Sequence, residues 1–157
     1  MHETLSDITN LSKEERYKEV LISARGLIDP NCSDTANLAN ISALLKTYFN
    51  FWWCGFSLVN DKQQLELGPF QGPVACTLIQ YGKGVCGTSW QRGETIIVPN
   101  VHEFEGHIAC SSASNSEIVV PLFRDNKVIG VLDIDSEHFN HFDEMDKHYL
   151  EALVKLF

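Results

Sequence analysis

The reactive potential of this sequence lies in its five cysteines and in acids placed beside apolar runs. Cys110 stands in a stretch of small polar residues, "HIACSSASNSE", between His107 and Glu117. A thiolate must form before it can attack, and a polar loop bordered by a histidine favours ionisation more than an apolar core does. Cys110 is therefore the candidate nucleophile. Cys76 precedes the glycine-bearing stretch "QYGKGVCGTSWQRGE", and Cys86 lies within it. Cys32, at a helix boundary, and Cys54, inside an aromatic strand, read as small packing residues. The spacing of Cys76, Cys86 and Cys110 matches no C-x2-C zinc pair. A metal site assembled in the fold from His102, His107 and Cys110 stands as an alternative.

The acids sharpen the reading. In "KVIGVLDIDS" strand alternation puts Ile129, Val131, Asp133 and Asp135 on one face, so two carboxylates end an apolar row. Desolvation and mutual repulsion there raise the pKa of at least one acid toward neutrality, and a neutral carboxylic acid can donate a proton. The competing reading has both acids at a solvated strand end. Glu117, which heads "EIVVPLF", joins the same cluster if the two strands are neighbours. A thiolate, a second thiol and a protonated carboxyl suit reduction of an S=O bond, in which sulfur is attacked while oxygen is protonated to leave. The attacking cysteine ends as a sulfenic acid, and a second cysteine converts it to a disulfide that a thioredoxin-like partner reduces.

Composition narrows the setting. The 157 residues suit one domain, 1–157, and the hydrophobic fraction of 44% is that of a globular chain. The net charge of -9, from 12 Lys+Arg against 21 Asp+Glu, lacks the basic excess that phosphate neutralisation requires, so nucleic acid is not an expected partner. No apolar run approaches the roughly 20 residues that span a bilayer, and "MHETLSDITN" has neither a basic nor an apolar leader region. The expectation is a cytoplasmic protein with free or redox-active thiols, since an odd number of irregularly spaced cysteines does not resemble a secreted disulfide framework.

These groups need a scaffold, and the periodicity is that of an α+β domain. Ser12 and Glu15 have capping-box spacing before a helix whose Tyr17, Val20, Leu21, Ala24 and Leu27 share a face. A second helix from Asp34 aligns Leu38, Ile41, Leu45 and Tyr48, and a last one from Asp143 to Phe157 aligns Tyr149, Leu150, Leu153, Val154 and Phe157. Between them "FWWCGFSLV", "QQLELGPF", "ACTLI", "TIIVP", "EIVVPLF" and "KVIGVLDID" read as strands of one antiparallel sheet. Asp125-Asn126 suits the hairpin turn between the last two. The terminal helices are expected mainly on one face. A short helix is expected around Thr88 to Gln91. The glycines before it lack the Walker spacing and instead let the backbone turn close to a pocket. The irregular stretch from Asn100 to Ser116 is long enough to be a working loop.

Together "YGKGVCGT", "VHEFEGHIAC", "SEIVVPL" and "VIGVLDIDS" resemble the free methionine-(R)-sulfoxide reductases, small enzymes built on a GAF domain. The resemblance runs from about Trp53 to the last helix. It implies a GAF-like sheet of about six strands, free methionine-(R)-sulfoxide as substrate, no cofactor or metal, a thioredoxin-like reductant and a homodimer. It further implies Cys110 as catalytic cysteine, Cys76 as resolving cysteine and Cys86 as a further redox cysteine. Glu117, Asp133 and Asp135 would surround the sulfoxide and the substrate ammonium, and Trp53 would face the methyl group, a contact that suits an indole. Ser57, Ser111 and Asn115 depart from the family pattern, where tyrosine, aspartate and a basic residue are usual. The alternative is a non-catalytic GAF-type sensor of a small ligand or of oxidation.

Overall fold

The computed structural model describes residues 8–110 and 112–157; Ser111 and most of the amino-terminal stretch read above for a leader lie outside them. Helix α1 (Lys13–Leu27) starts at the expected capping box: Ser12 Oγ accepts from the Glu15 N–H at 3.2 Å, and Glu15 Oε2 accepts from the Ser12 N–H at 2.7 Å. Two of the orphan donors of the first turn are thereby satisfied. Tyr17, Val20 and Ala24 are buried as the periodicity requires. Leu27 is not: the helix ends there, Leu27 is 42% exposed, and Ile28, in extended backbone, packs on the core in its place. Helix α2 (Asp34–Phe49) is capped by Ser33, buries Leu38, Ile41, Leu45 and Tyr48, and stops at Asn50, whose left-handed φ of 51° ends the hydrogen-bonded run.

Six strands follow: β1 (Trp53–Val59), β2 (Gln64–Gln71), β3 (Leu78–Gln80), β4 (Ile96–Val98), β5 (Ser116–Arg124) and β6 (Lys127–Ser136), with α3 (Gly84–Arg92) between β3 and β4 and α4 (Glu144–Val154) at the end. They form one antiparallel sheet in the order β3-β2-β1-β6-β5-β4, so β1 and β6 pair at its centre. Asp125 and Asn126, at φ 53° and 61°, make the two-residue turn between β5 and β6; both tolerate the left-handed conformation that such hairpins demand. Strand β3 is shorter than "ACTLI" suggested and leaves Cys76 in the segment that precedes it.

The alternation of side chains divides the core in two. One face of the sheet, with Cys54, Phe56, Ile118, Val120, Leu132 and Ile134, packs on α1, α2 and α4. The other, with Leu65, Val119 and Val131, is covered by α3 through Val85, Cys86 and Trp90. Helices thus lie mainly on one face, and α3, longer than the expected Thr88–Gln91 turn, is the exception that covers the other. Cys54 is the packing residue expected of it; Cys32 is exposed, because the turn between α1 and α2 offers it no core to enter. No helix among the described residues is long and apolar enough to cross a membrane.

The two ends of the chain are joined through Asp146, which is 1% exposed. It accepts a hydrogen bond from Tyr17 Oη at 2.5 Å, pairs with Lys13 and caps α4 by accepting from the Asp143 N–H at 2.8 Å. Desolvation and the Asp146 charge push the Tyr17 phenol well up, so it remains a donor throughout the physiological range. Asp146→Ala leaves a buried hydroxyl and an ammonium without their partner and removes half of a capping box. Urea unfolding should show a loss on the order of 3 kcal/mol, with a native-like circular dichroism spectrum retained.

Candidate active site

The site is built on the face that α3 covers. Across the β5–β6 pair Glu117 stands opposite Asp135 and Val119 opposite Asp133. Across β1–β6 Trp53 stands opposite Asp135 and Gly55 opposite Asp133. Because register fixes facing, these pairings put Trp53, Glu117, Asp133 and Asp135 at one end of the same face. The cavity above them measures about 690 Å3, open solvent at its mouth included, and Cys76, Cys86 and Cys110 also line it. Trp53, the three cysteines and the three acids that the family resemblance marks are therefore brought to one place.

Two glycines let the remaining walls close. Gly84 begins α3 at φ +61°, and a Cβ there would meet the Ile108 side chain at 3.1 Å, so the segment bearing Cys110 rests directly on the start of the helix. A Cβ on Gly87 would lie 2.5 Å from the Gln80 carbonyl oxygen, which is how closely α3 approaches the end of β3. Lys83, at the helix N-cap position, makes no side-chain cap, so the first N–H groups of α3 are not claimed by it. On the opposite wall Trp53, 6% exposed, donates its indole N–H to the Pro73 carbonyl at 3.0 Å and stacks on Phe70 at 5.2 Å. It is a fixed aromatic surface.

Cys76 and Cys110 form a disulfide with Cα atoms 5.5 Å apart. Cys110 is exposed and Cys76 partly so, which puts the bond at the cavity mouth within reach of a partner. Cys86 is different. It is 4% exposed, and burial, followed by the charges of Asp133, Glu117 and Asp135, pushes its thiol well above the usual range. It is a protonated thiol on the cavity floor rather than a ready nucleophile.

Burial raises all three acids, and the charge of Asp133 raises the other two further. Glu117 is 5% exposed, and burial, then the charges of Asp133 and Asp135, hold its carboxyl well above the ordinary range. Burial and the Asp133 charge do the same to Asp135, against a hydrogen bond from Ser114. Asp133 is pushed up to about 6 by burial, with Glu117 and the Cys86 thiol lowering it. Asp133 keeps some surface toward the cavity, but its Oδ1 is sealed and has no hydrogen-bond partner among the described residues. His107 Nε2 lies 3.8 Å from Glu117 Oε2, an ion-pair distance. Burial, and then His102, push the imidazole down while Glu117 is pushed up, so both groups lean neutral and the contact is a polar one.

The metal alternative read from His102, His107 and Cys110 is not assembled: His102 Nε2 is 3.0 Å from Asn115 Oδ1, His107 faces Glu117, and Cys110 is in the disulfide. The group of possible ligands among the described residues is Cys86, Glu117 and Asp133, whose donor atoms lie within 4.8 Å of one another. Of the family departures, Ser57 is buried on the cavity wall, and Asn115 ties the Cys110 segment down by donating to the Glu137 carbonyl at 2.6 Å. Sequence reading passed over Ser114, whose Oγ donates to Asp135 Oδ1 at 3.0 Å, because nothing in the chain announces a contact across 21 residues.

The GAF domain family matches residues 41–157. A free methionine-R-sulfoxide reductase of Saccharomyces cerevisiae is 45% identical over 94% of this chain and 87% of its own. The chain belongs to the free methionine-R-sulfoxide reductases of the GAF-domain family. GAF domain-containing protein A of Dictyostelium discoideum is 53% identical over 96% of this chain and 95% of its own. A free methionine-R-sulfoxide reductase of Neisseria meningitidis, solved in complex with its substrate, superposes with a TM-score of 0.92 at 47% identity, covering 99% of this chain and 91% of that one.

A raised carboxyl pKa in the folded state opposes folding as pH rises, because the unfolded carboxyl ionises first. For Asp133 that penalty is absent below 3.8 and develops as pH rises toward about 6. Asp133→Asn should therefore raise the unfolding free energy of the disulfide-bonded protein at pH 7.5, read from urea titration, by on the order of 1 kcal/mol or more, and leave it unchanged near pH 3.5. An equal shift at both values would show that the acid carries no such penalty.

Proposed function

We propose that this oxidoreductase reduces free L-methionine-(R)-sulfoxide to methionine, with Cys110 as nucleophile and Cys76 as resolving thiol. The observation that carries the reading is the Cys76–Cys110 disulfide standing over a cavity floored by Glu117, Asp133 and Asp135. In the reduced protein the Cys110 thiolate attacks the sulfoxide sulfur while a protonated carboxyl supplies a proton to the oxygen. Oxygen passes to Cys110 as a sulfenic acid and methionine leaves. The Cys76 thiol then attacks the Cys110 sulfur, its proton joins the departing hydroxyl as water, and the disulfide forms. A dithiol of the thioredoxin kind returns both cysteines to thiols at the exposed bond.

The acids serve two needs at once. Carboxyls raised by burial and by the Asp133 charge hold a proton at neutral pH, which the leaving oxygen requires, and the ionised remainder of the cluster attracts the ammonium of a free amino acid. The first N–H groups of α3 offer donors to the substrate carboxylate, and Trp53 presents an apolar wall to the methyl group. Cys86, held protonated under the acids, takes part in exchange only after the pocket opens.

Incubating the reduced protein with racemic methionine sulfoxide and a thiol reductant should consume the R epimer and spare the S epimer on chiral chromatography. Loss of neither would favour a ligand or redox sensor. In a single-turnover assay Cys110→Ser should release no methionine, whereas Cys76→Ser should release about one per site and then stall under thioredoxin recycling; the reverse pattern would place the nucleophile at Cys76. Glu117→Gln or Asp135→Asn should slow turnover on the order of 10²-fold, and near-normal turnover would return that acid to a structural part.

A further inference from the structure

Ser114 is 5% exposed at the foot of the segment that carries Cys110, and its Oγ donates to Asp135 Oδ1 at 3.0 Å. The foot does not need that hydroxyl for its own placement. The Asn115 N–H donates to the Ser136 carbonyl at 2.8 Å, and the Asn115 carbonyl accepts from the Val101 N–H at 3.0 Å. Asn115 Nδ2 donates to the Glu137 carbonyl at 2.6 Å. These bonds fix the backbone on both sides of the cavity rim, and leave the Ser114 hydroxyl with a single visible task. The other two acids are engaged within the floor of the cavity, Asp133 with Glu117 and the Cys86 thiol and Glu117 with Asp133, whereas Asp135 is the one tied to the segment that bears Cys110.

We propose that Ser114 is a positioning residue for the reaction: it engages Oδ1 of Asp135, leaves Oδ2 to serve the substrate, and ties the orientation of that carboxyl to the segment bearing Cys110. The inference rests on the reductase reading given above. A carboxyl at the end of a strand side chain turns freely about its last torsion, and a hydroxyl bound to one oxygen sets which oxygen faces the cavity. Such a bond also favours the ionised form. Burial and the Asp133 charge raise the Asp135 pKa, and the Ser114 bond is what lowers it. Alignment and charge state are therefore governed by one contact.

Ser114→Ala and Ser114→Thr test this. In the disulfide-bonded protein without substrate, the Asp135 carboxyl carbon, assigned by comparison with Asp135→Asn, should titrate at higher pH in Ser114→Ala and near its original position in Ser114→Thr. In the reduced protein Ser114→Ala should lower the first-turnover rate at limiting substrate by roughly tenfold at neutral pH, as loss of a hydrogen bond to a charged group does. The limb of the pH profile set by this acid should move upward, and Ser114→Thr should restore both. An unmoved carboxyl titration in Ser114→Ala overturns the proposal. So does a moved titration with an unchanged first-turnover rate and pH profile, because the contact would then be structural only. A wild-type protein that reduces neither epimer would sink the reductase reading, while the carboxyl titration would still decide whether Ser114 governs Asp135.

Discussion

The constraint on which the rest of this structure depends is the burial of three carboxyls at one end of an apolar sheet face. Like charges directly opposite across strands are destabilising, and Glu117 stands directly opposite Asp135. The sheet cannot relieve this by slipping. A shift of one residue in β6 would carry Asp133 and Asp135 into the core against α1, α2 and α4, where Leu132 and Ile134 are fully buried. The large apolar layer on the helix side thus holds the register that the acids oppose on the other side, and the acids answer the strain by ionising less readily than free carboxyls. Protonation is the outcome of packing here, and it is also what sulfoxide chemistry needs.

The walls of the pocket come from segments far apart in the chain. The floor is central sheet, the back is the first turn of α3, one side is Trp53 held by Phe70 and Pro73, and the rim is the segment that rests on Gly84. Rigid elements carry the acids and the indole, while Cys110 sits on irregular backbone. On the mechanism proposed above, this division suits a group that must approach a substrate in one step and another thiol in the next.

Much of this was legible in the chain. Alternation in "KVIGVLDIDS" announced the apolar row that ends in two acids, and it did so without knowledge of neighbours because facing in a strand is a local property. The Ser12–Glu15 box and the Asp125-Asn126 turn were likewise local and formed where expected. What failed were inferences about surroundings. Leu27 and Cys32 have the right chemistry for a core, but the chain turns outward at both. The pairing of Glu117 with Asp135, the approach of His107 to Glu117 and the Ser114 hydrogen bond are products of strand order and loop path. No periodicity encodes them. The pairing of Cys76 with Cys110 belonged to the family resemblance rather than to spacing, and the structure contains that bond.

The disulfide has a consequence for the unfolded chain. It spans 34 residues of sequence, and closing a loop of that length removes enough disorder from the denatured ensemble to favour the folded state by about 4 kcal/mol in the chain-entropy account. That bonus belongs to the oxidised protein alone. On the mechanism proposed above, the form that waits for a reductant is the sturdier one, and the form with both thiols free, the one that would attack a sulfoxide, is closer to unfolding.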